Sequence, residues 1–182
     1  MRISLPLRSM LIVKLLLIAL VIAMIAAPLT LPEGSVTELD GKIGSVDNWD
    51  DIGELPWPQM VVYFIGDVNC HQQADRSFYL NGNQIPVCAR DLGLFAGAAI
   101  GLGIYMIMRK QVPWLLLALL LAPMALDGGL QTISSYESDN TVRTITGMVA
   151  GLAIGWAIGI LMDRFFRTND ALEKAPEGDG QS

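Results

Sequence analysis

Four stretches of this chain stay apolar for close to the length a helix needs to cross a bilayer, and that constrains its fold more than any other feature. Crossing the hydrocarbon core takes roughly 20 mostly apolar residues as helix, because each backbone polar group must be satisfied within the segment. The stretches are Met10–Leu29, Leu92–Met108, Val112–Leu130 and Thr144–Met162. Lys14 alone interrupts the first, Arg109–Lys110 stops the second, Pro113–Trp114 opens the third, and Asp163–Arg164 closes the fourth. A fifth run, Met60–Ile65 behind Pro56, Trp57 and Pro58, is too short to cross and reads as interfacial or re-entrant. The expected fold is an all-α integral membrane protein of four transmembrane helices plus this segment. Composition agrees, with 52% hydrophobic and only 16% charged residues and a mean hydropathy of +0.45.

The formal charge of −6 argues against a nucleic-acid partner, whose phosphates call for a basic surface. Two cysteines and one histidine exclude a multi-metal or disulfide-dense scaffold. The implied partner is the lipid bilayer of the cell membrane, with a homo-oligomer or larger membrane complex left open.

Lysines and arginines near span ends stay preferentially cytoplasmic. With the N-terminus inside, the cytoplasmic side collects Arg2, Arg8, Arg109, Lys110, Arg164, Arg167 and Lys174, and Lys14 can snorkel there. The other side holds Lys42, Arg76, Arg90 and Arg143, together with the acidic run from Glu33 to Glu54. Both termini are therefore expected in the cytoplasm. The first span reads as an uncleaved anchor, since Ile25 and Pro28 flank a poor cleavage site. The chain divides into an anchor (1–29), an acidic outer loop (30–56), an interfacial segment (57–91), a three-helix membrane unit (92–162) and a polar tail (163–182). The tail, above all from Asn169 onward, has the composition of a disordered segment.

Glycine recurs every fourth residue at Gly93, Gly97 and Gly101 in the second span, and at Gly147, Gly151, Gly155 and Gly159 in the fourth. Residues four apart share one helix face, so each helix presents a groove where another backbone can come close. Two arrangements use such grooves: the spans pack on each other within the chain, which a small bundle favours, or one groove forms a dimer seam. Pro123 stands one turn before Asp127 in the third span and reads as a packing kink.

The chemistry-bearing residues all map to one side of the membrane. Cys70, His71, Gln72, Arg76, Cys88, Arg90 and Asp91 precede the second span; Asp127 and Gln131 end the third; Asn140 and Arg143 open the fourth. In a compact bundle these ends are neighbours, so the residues are expected to line one outward-facing polar pocket. Asp127 near the membrane boundary calls for a cationic partner, Arg143, Arg90 or Arg76, with Arg143 the expected one. The same arginines suit an anionic head group, because guanidinium matches phosphate and carboxylate in a bidentate way. Asp91 can cap the helix it begins.

The pattern Cys-His-Gln, Arg-Ser-Phe, Pro-Val-Cys-Ala-Arg, then Pro-Met-Ala-Leu-Asp-Gly, Gln, Asn, Arg and Thr-Gly resembles a family of small prokaryotic multipass membrane proteins catalogued only as a domain of unknown function. The resemblance runs from about Asn69 to Gly155 and implies an integral membrane protein without an established reaction. In that family the second block reads Cys-Ala-Arg-Cys, whereas Asp91 stands at its last position here.

Three readings of Cys70, His71, Cys88 and Asp91 stand side by side: a Cys70–Cys88 disulfide on the oxidising side, a zinc or iron site, or free thiols. Cys-x-x-Cys, a Ser-His-Asp set, a P-loop and a paired-His zinc motif are all absent from the sequence. The function classes that remain are a structural, accessory or head-group-binding membrane protein, a metal-dependent membrane enzyme acting on a lipid or small molecule, and a transport subunit.

Overall fold

A computed structural model describes residues 5–173, with side chains to Asn169. Helix α1 spans Leu5–Thr30, and the short α2 (Trp49–Ile52) and α3 (Gln59–Asn69) follow it. A two-stranded hairpin, β1 (Tyr79–Leu80) and β2 (Asn83–Gln84), precedes α4 (Ala89–Met108), α5 (Trp114–Ile133) and α6 (Asn140–Glu173). Four of these helices, α1, α4, α5 and α6, are long and apolar enough to cross a membrane. The protein is an all-α membrane bundle with a minimal sheet.

The glycine grooves decide how the bundle is centred. A Cβ built on Gly93, Gly97 or Gly101 of α4 would collide with the backbone oxygens of Thr144, Met148 and Leu152 of α6. In return, Gly147, Gly151 and Gly155 of α6 lie against the carbonyls of Arg90, Leu94 and Ala98, and Gly159 against the ring of Tyr105. With no hydrophobic force between helices in lipid, such backbone contact is what gives two helices a reason to associate. Helix α1 lies along α4, with Met10 sharing a buried cluster with Leu102, Tyr105 and Ile160. Helix α5 packs on α6 and buries only Leu117 and Asp127 fully, although Pro123 lies within it.

Where α1 and α5 end and α4 and α6 begin, residues 31–88 fold into a cap. The acidic outer loop is knitted into the segment that follows it. Val36, Leu39 and Ile52 form a buried cluster with Ala27, Leu31 and Tyr63. Backbone groups of a loop this irregular need partners, and buried amides supply them. Asn83 accepts from the Val36 N–H (2.9 Å) and donates to the Pro28 and Pro32 carbonyls (3.0 and 2.9 Å). Gln84 accepts from the Leu39 N–H (2.9 Å), and the Tyr63 hydroxyl donates to the Gln84 carbonyl (2.6 Å). The apolar run Met60–Ile65 thus belongs to α3, a helix of this cap that rests on the end of α1.

The tail corrects one expectation. Helix α6 continues through Asn169 to Glu173, well past the end of its apolar stretch. Phe165 and Phe166 in this extension stack edge to face at 5.6 Å, and the arginines around them favour helix as much as they favour solvent. Residues 174–182 and Arg2 lie outside the described residues.

Candidate functional site: an arginine and thiol cavity under the cap

The cap and the ends of α4, α5 and α6 enclose a cavity of about 280 Å³ lined by Ile43, Cys70, His71, Gln73, Arg76, Cys88, Arg90, Asp91, Met124 and Arg143. Each wall has a local cause. Cys70 ends α3 in an extended conformation, and Cys88 is the residue from which α4 starts. Arg90 and Asp91 follow in the first turn of α4, and Arg76 closes a 3₁₀ turn. Arg143 sits in the first turn of α6, whose start is fixed by Asp139. The Asp139 carboxylate accepts from the Thr141 and Val142 N–H groups (2.7 and 3.0 Å). Those two bonds cap the helix and hold the Asp139 carboxyl below the usual carboxylate range.

Electrostatically the cavity is unbalanced. Arg90 pairs with Asp127 through its Nη2. Asp127 also accepts from Gln131 (3.2 Å), Ser138 (3.3 Å) and Tyr136 (3.5 Å). The expected partner, Arg143, is not in contact with it: Gln131 stands between them, donating to Asp127 and accepting from Arg143 Nη2 (3.3 Å). Geometry explains the correction. Arg90 projects from α4 toward Asp127, while Arg143 is drawn to the cap by the Asp75 carbonyl and to Asn140 on its own helix, each at 3.4 Å. Asn140 in turn donates to the Ser77 carbonyl (3.0 Å), tying α6 to the cap.

Arg143, only 3% exposed, keeps an Nε–H without a hydrogen-bond partner. The same holds for Arg76 Nε, Arg90 Nε and the Gln73 amide oxygen. Asp75 is the one carboxylate near Arg76 Nε, at 3.6 Å, and is itself largely exposed. Buried polar groups are normally satisfied, so three unpartnered guanidinium N–H groups around one cavity are the distinctive feature of the site.

Two thiols line the same cavity. Cys70 and Cys88 are free, and their sulfurs and a carboxylate oxygen of Asp91 all fall within 4.8 Å of one another. The Cys88 N–H donates to Cys70 Sγ (3.2 Å). The hydrogen bond with Cys88, burial and the charge of Asp91 together push the Cys70 thiol up, while the Cys70 thiol lowers that of Cys88. His71 does not join this group. Its Nδ1–H donates to the Gly41 carbonyl (3.1 Å), and its own carbonyl accepts from the Gly41 N–H (2.9 Å). Two adjacent residues in extended backbone point to different sides, which separates Cys70 from His71.

Gln72 also departs from the expected pocket. It is fully buried in the cap, with its amide donating to the Pro86 carbonyl (2.8 Å) and accepting from Asn48 (3.2 Å), which binds Asp67 (2.6 Å). This amide network, Asn48, Asp67, Gln72, Asn83 and Gln84, has one sequence signal. Asn81 and Gly82 both adopt positive φ (52° and 70°), the signature of an Asn-Gly hairpin turn, which places Asn83 and Gln84 on a strand.

Residues 70–157 match the family described as "Predicted membrane protein (DUF2085)". An uncharacterized protein of Methanocaldococcus jannaschii is 38% identical over 99 residues, covering 51% of this chain and 63% of its own length. An uncharacterized protein of Methanothermobacter thermautotrophicus is 36% identical over 88 residues, covering 47% of this chain and 79% of its own. This chain therefore spans somewhat under two thirds of the first relative's length. No solved structure matches. The matched segment begins at Cys70, covers α4 and α5 and ends within α6, so it contains every residue that lines the cavity except Ile43. On these matches the chain belongs to the DUF2085 family of predicted membrane proteins.

Proposed function

We propose that the cavity is an anion-binding site at the non-cytoplasmic face of the cell membrane, taking a phosphate or carboxylate group carried by a lipid. The observation that carries this reading is the convergence of Arg76, Arg90 and Arg143 on one cavity, each with a buried Nε–H that has no hydrogen-bond partner. A guanidinium offers its N–H groups as a fork that fits two oxygens of such an anion. A volume of about 280 Å³ suits a head group, with the acyl chains left in the bilayer. The facing follows from charge: Arg109, Lys110, Arg164 and Arg167 gather at the other end of α4 and α6 and favour the cytoplasm. The arginine set speaks to binding, and binding is the activity proposed.

The test uses the purified full-length protein in nanodiscs of phosphatidylcholine doped with phosphatidylglycerol. Native mass spectrometry should show phosphatidylglycerol retained by the wild type and lost from the Arg76→Gln/Arg143→Gln variant. Inorganic phosphate that competes it away identifies the phosphate as the recognised group; binding of phosphate with no lipid retained would make the ligand a free anion. Equal retention by both proteins overturns the assignment.

A further inference from the structure

The thiol wall of the cavity is a separate chemical feature, and the anion reading leaves it unused. Sγ of Cys70, Sγ of Cys88 and a carboxylate oxygen of Asp91 converge within 4.8 Å of one another. Among the described residues no other set of three metal-ligating side chains does so. We infer that Cys70, Cys88 and Asp91 bind one divalent ion of the zinc class, leaving a fourth position open to the arginine cavity.

Ligand type comes first. Thiolate and carboxylate are both zinc donors, with bonds of roughly 2.3 Å and 2.0–2.2 Å in a tetrahedral arrangement. Those bond lengths set donor atoms about 3.5 Å apart, a spacing the cluster reaches by drawing in from within 4.8 Å. Placement comes next. Cys88 and Asp91 are three residues apart across the first turn of α4, so their side chains share a face. Cys70 arrives from the end of α3 and is held at the cluster by the Cys88 N–H at 3.2 Å. An N–H donated to a ligating sulfur is the usual second layer of a thiolate site.

Chemical economy separates the ion from a disulfide. A Cys70–Cys88 bond would use two of the three groups and give Asp91 no part, whereas a cation uses all three. On binding, the ion replaces the two thiol protons, which leave to solvent; no electron is transferred, and no oxidant is called for. The resulting centre carries a net charge of about −1, from two thiolates and one carboxylate against the dication, beside the positive wall formed by Arg76, Arg90 and Arg143. All three ligands line the cavity, so the fourth coordination position faces the space in which an anion would lie. Three protein ligands with one open position are the pattern of zinc sites that act on a bound molecule rather than holding a fold together.

The experiment uses the full chain in detergent, reduced and stripped with a chelator, then titrated with Co²⁺ alone. Expected are a thiolate-to-cobalt absorption band saturating at one ion per chain, its displacement by Zn²⁺, and one zinc per chain by mass spectrometry. Asp91→Asn should weaken the affinity tenfold or more while keeping both sulfurs; Cys88→Ser should abolish the band. His71→Ala should leave the affinity within about twofold, since its imidazole is engaged by Gly41. Absence of the band and of bound zinc in the reduced protein overturns the inference, as does an affinity unchanged by Asp91→Asn or lost in His71→Ala. Arg76→Gln/Arg143→Gln should still bind one ion, so failure of the anion site and failure of the metal site are read independently.

Discussion

The α4–α6 pair carries a buried ionic cluster at each end, and the two clusters are finished to different degrees. At the end away from the cap, Asp163 accepts from the Tyr105 hydroxyl (2.7 Å) and from Arg109 Nη1 (2.6 Å). Around this core, Trp156 stacks edge to face on Tyr105 at 6.1 Å and donates to the Lys110 carbonyl (3.1 Å), and Gln111 reaches the Tyr105 hydroxyl (3.4 Å). None of these residues is left with a buried polar atom unpartnered. At the cap end, Arg90 alone pairs with the buried carboxylate of Asp127, and Arg76, Arg90 and Arg143 each keep an Nε–H without a hydrogen-bond partner. A closed network needs nothing further and reads as structure. An open one, with an unmatched N–H on each arginine, is the feature from which the anion-binding proposal is drawn.

Both clusters depend on the same shaft of touching backbones, so breaking the shaft should do the most damage. Gly97→Leu would force the Met148 carbonyl away; overpacking of this kind should cost about 3 kcal/mol, lowering thermal stability in detergent and disturbing both ends together. Leu119, exposed on α5, should tolerate alanine without measurable loss. Similar stability for both variants would mean that α4 and α6 do not touch.

Next in size is the closed end. Asp163→Asn removes the charge that faces Arg109, and breaking a buried pair typically costs roughly 3–5 kcal/mol. Arg109 is one-third exposed on its side chain, so the expected loss is nearer ~2 kcal/mol. Retention of anionic lipid at the far end should not change. If Asp163→Asn abolished it, the two ends would be one coupled system and the contrast between them would fail.

The third experiment separates partners within the open end. A double-mutant cycle on Asp127→Asn and Arg90→Gln should return a coupling of about 1 kcal/mol or more, because the groups are in contact. The same cycle on Asp127→Asn and Arg143→Gln should return less than about 0.5 kcal/mol, because Gln131 intervenes. Reversed magnitudes would restore the partnership that the sequence suggests.

The smallest stability effect should accompany the largest functional one. Arg143→Gln takes a buried charge away from two like charges and keeps an amide able to bond Gln131. Stability should move by no more than about 1 kcal/mol in either direction, while lipid retention drops. A loss as large as that of Asp163→Asn would class Arg143 with the closed network.

What could be read from the sequence divides along physical lines. Helices in lipid must satisfy their own backbone, so apolar length alone locates α1, α4, α5 and α6, and a four-residue glycine repeat marks the faces on which α4 and α6 meet. The cap obeys no such rule. Its order comes from side-chain amides serving distant backbone groups, 55 residues away for Asn83 and Pro28 and 63 for Asn140 and Ser77, and long-range satisfaction of that kind leaves no periodic trace. Ser-Val-Thr-Glu-Leu-Asp reads as solvated loop, yet Val36 and Leu39 are core. At the site, residue types were legible and pairings were not. Nothing in the spacing of Asp127, Arg90 and Arg143 says which arginine arrives first, since a turn of one helix end decides it.

The place of α5 has a consequence for the order in which the protein assembles. It lies between α4 and α6 along the chain, but in space α6 occupies the flank of α4 directly, and α5 packs on α6. A helix leaving the insertion machinery would first meet its immediate predecessor, so α5 must stay off the glycine face of α4 until α6 has been made. Only with α6 in place does the Asp127 carboxylate meet Arg90 in its final setting, so a helix made later fixes the position of the helix before it.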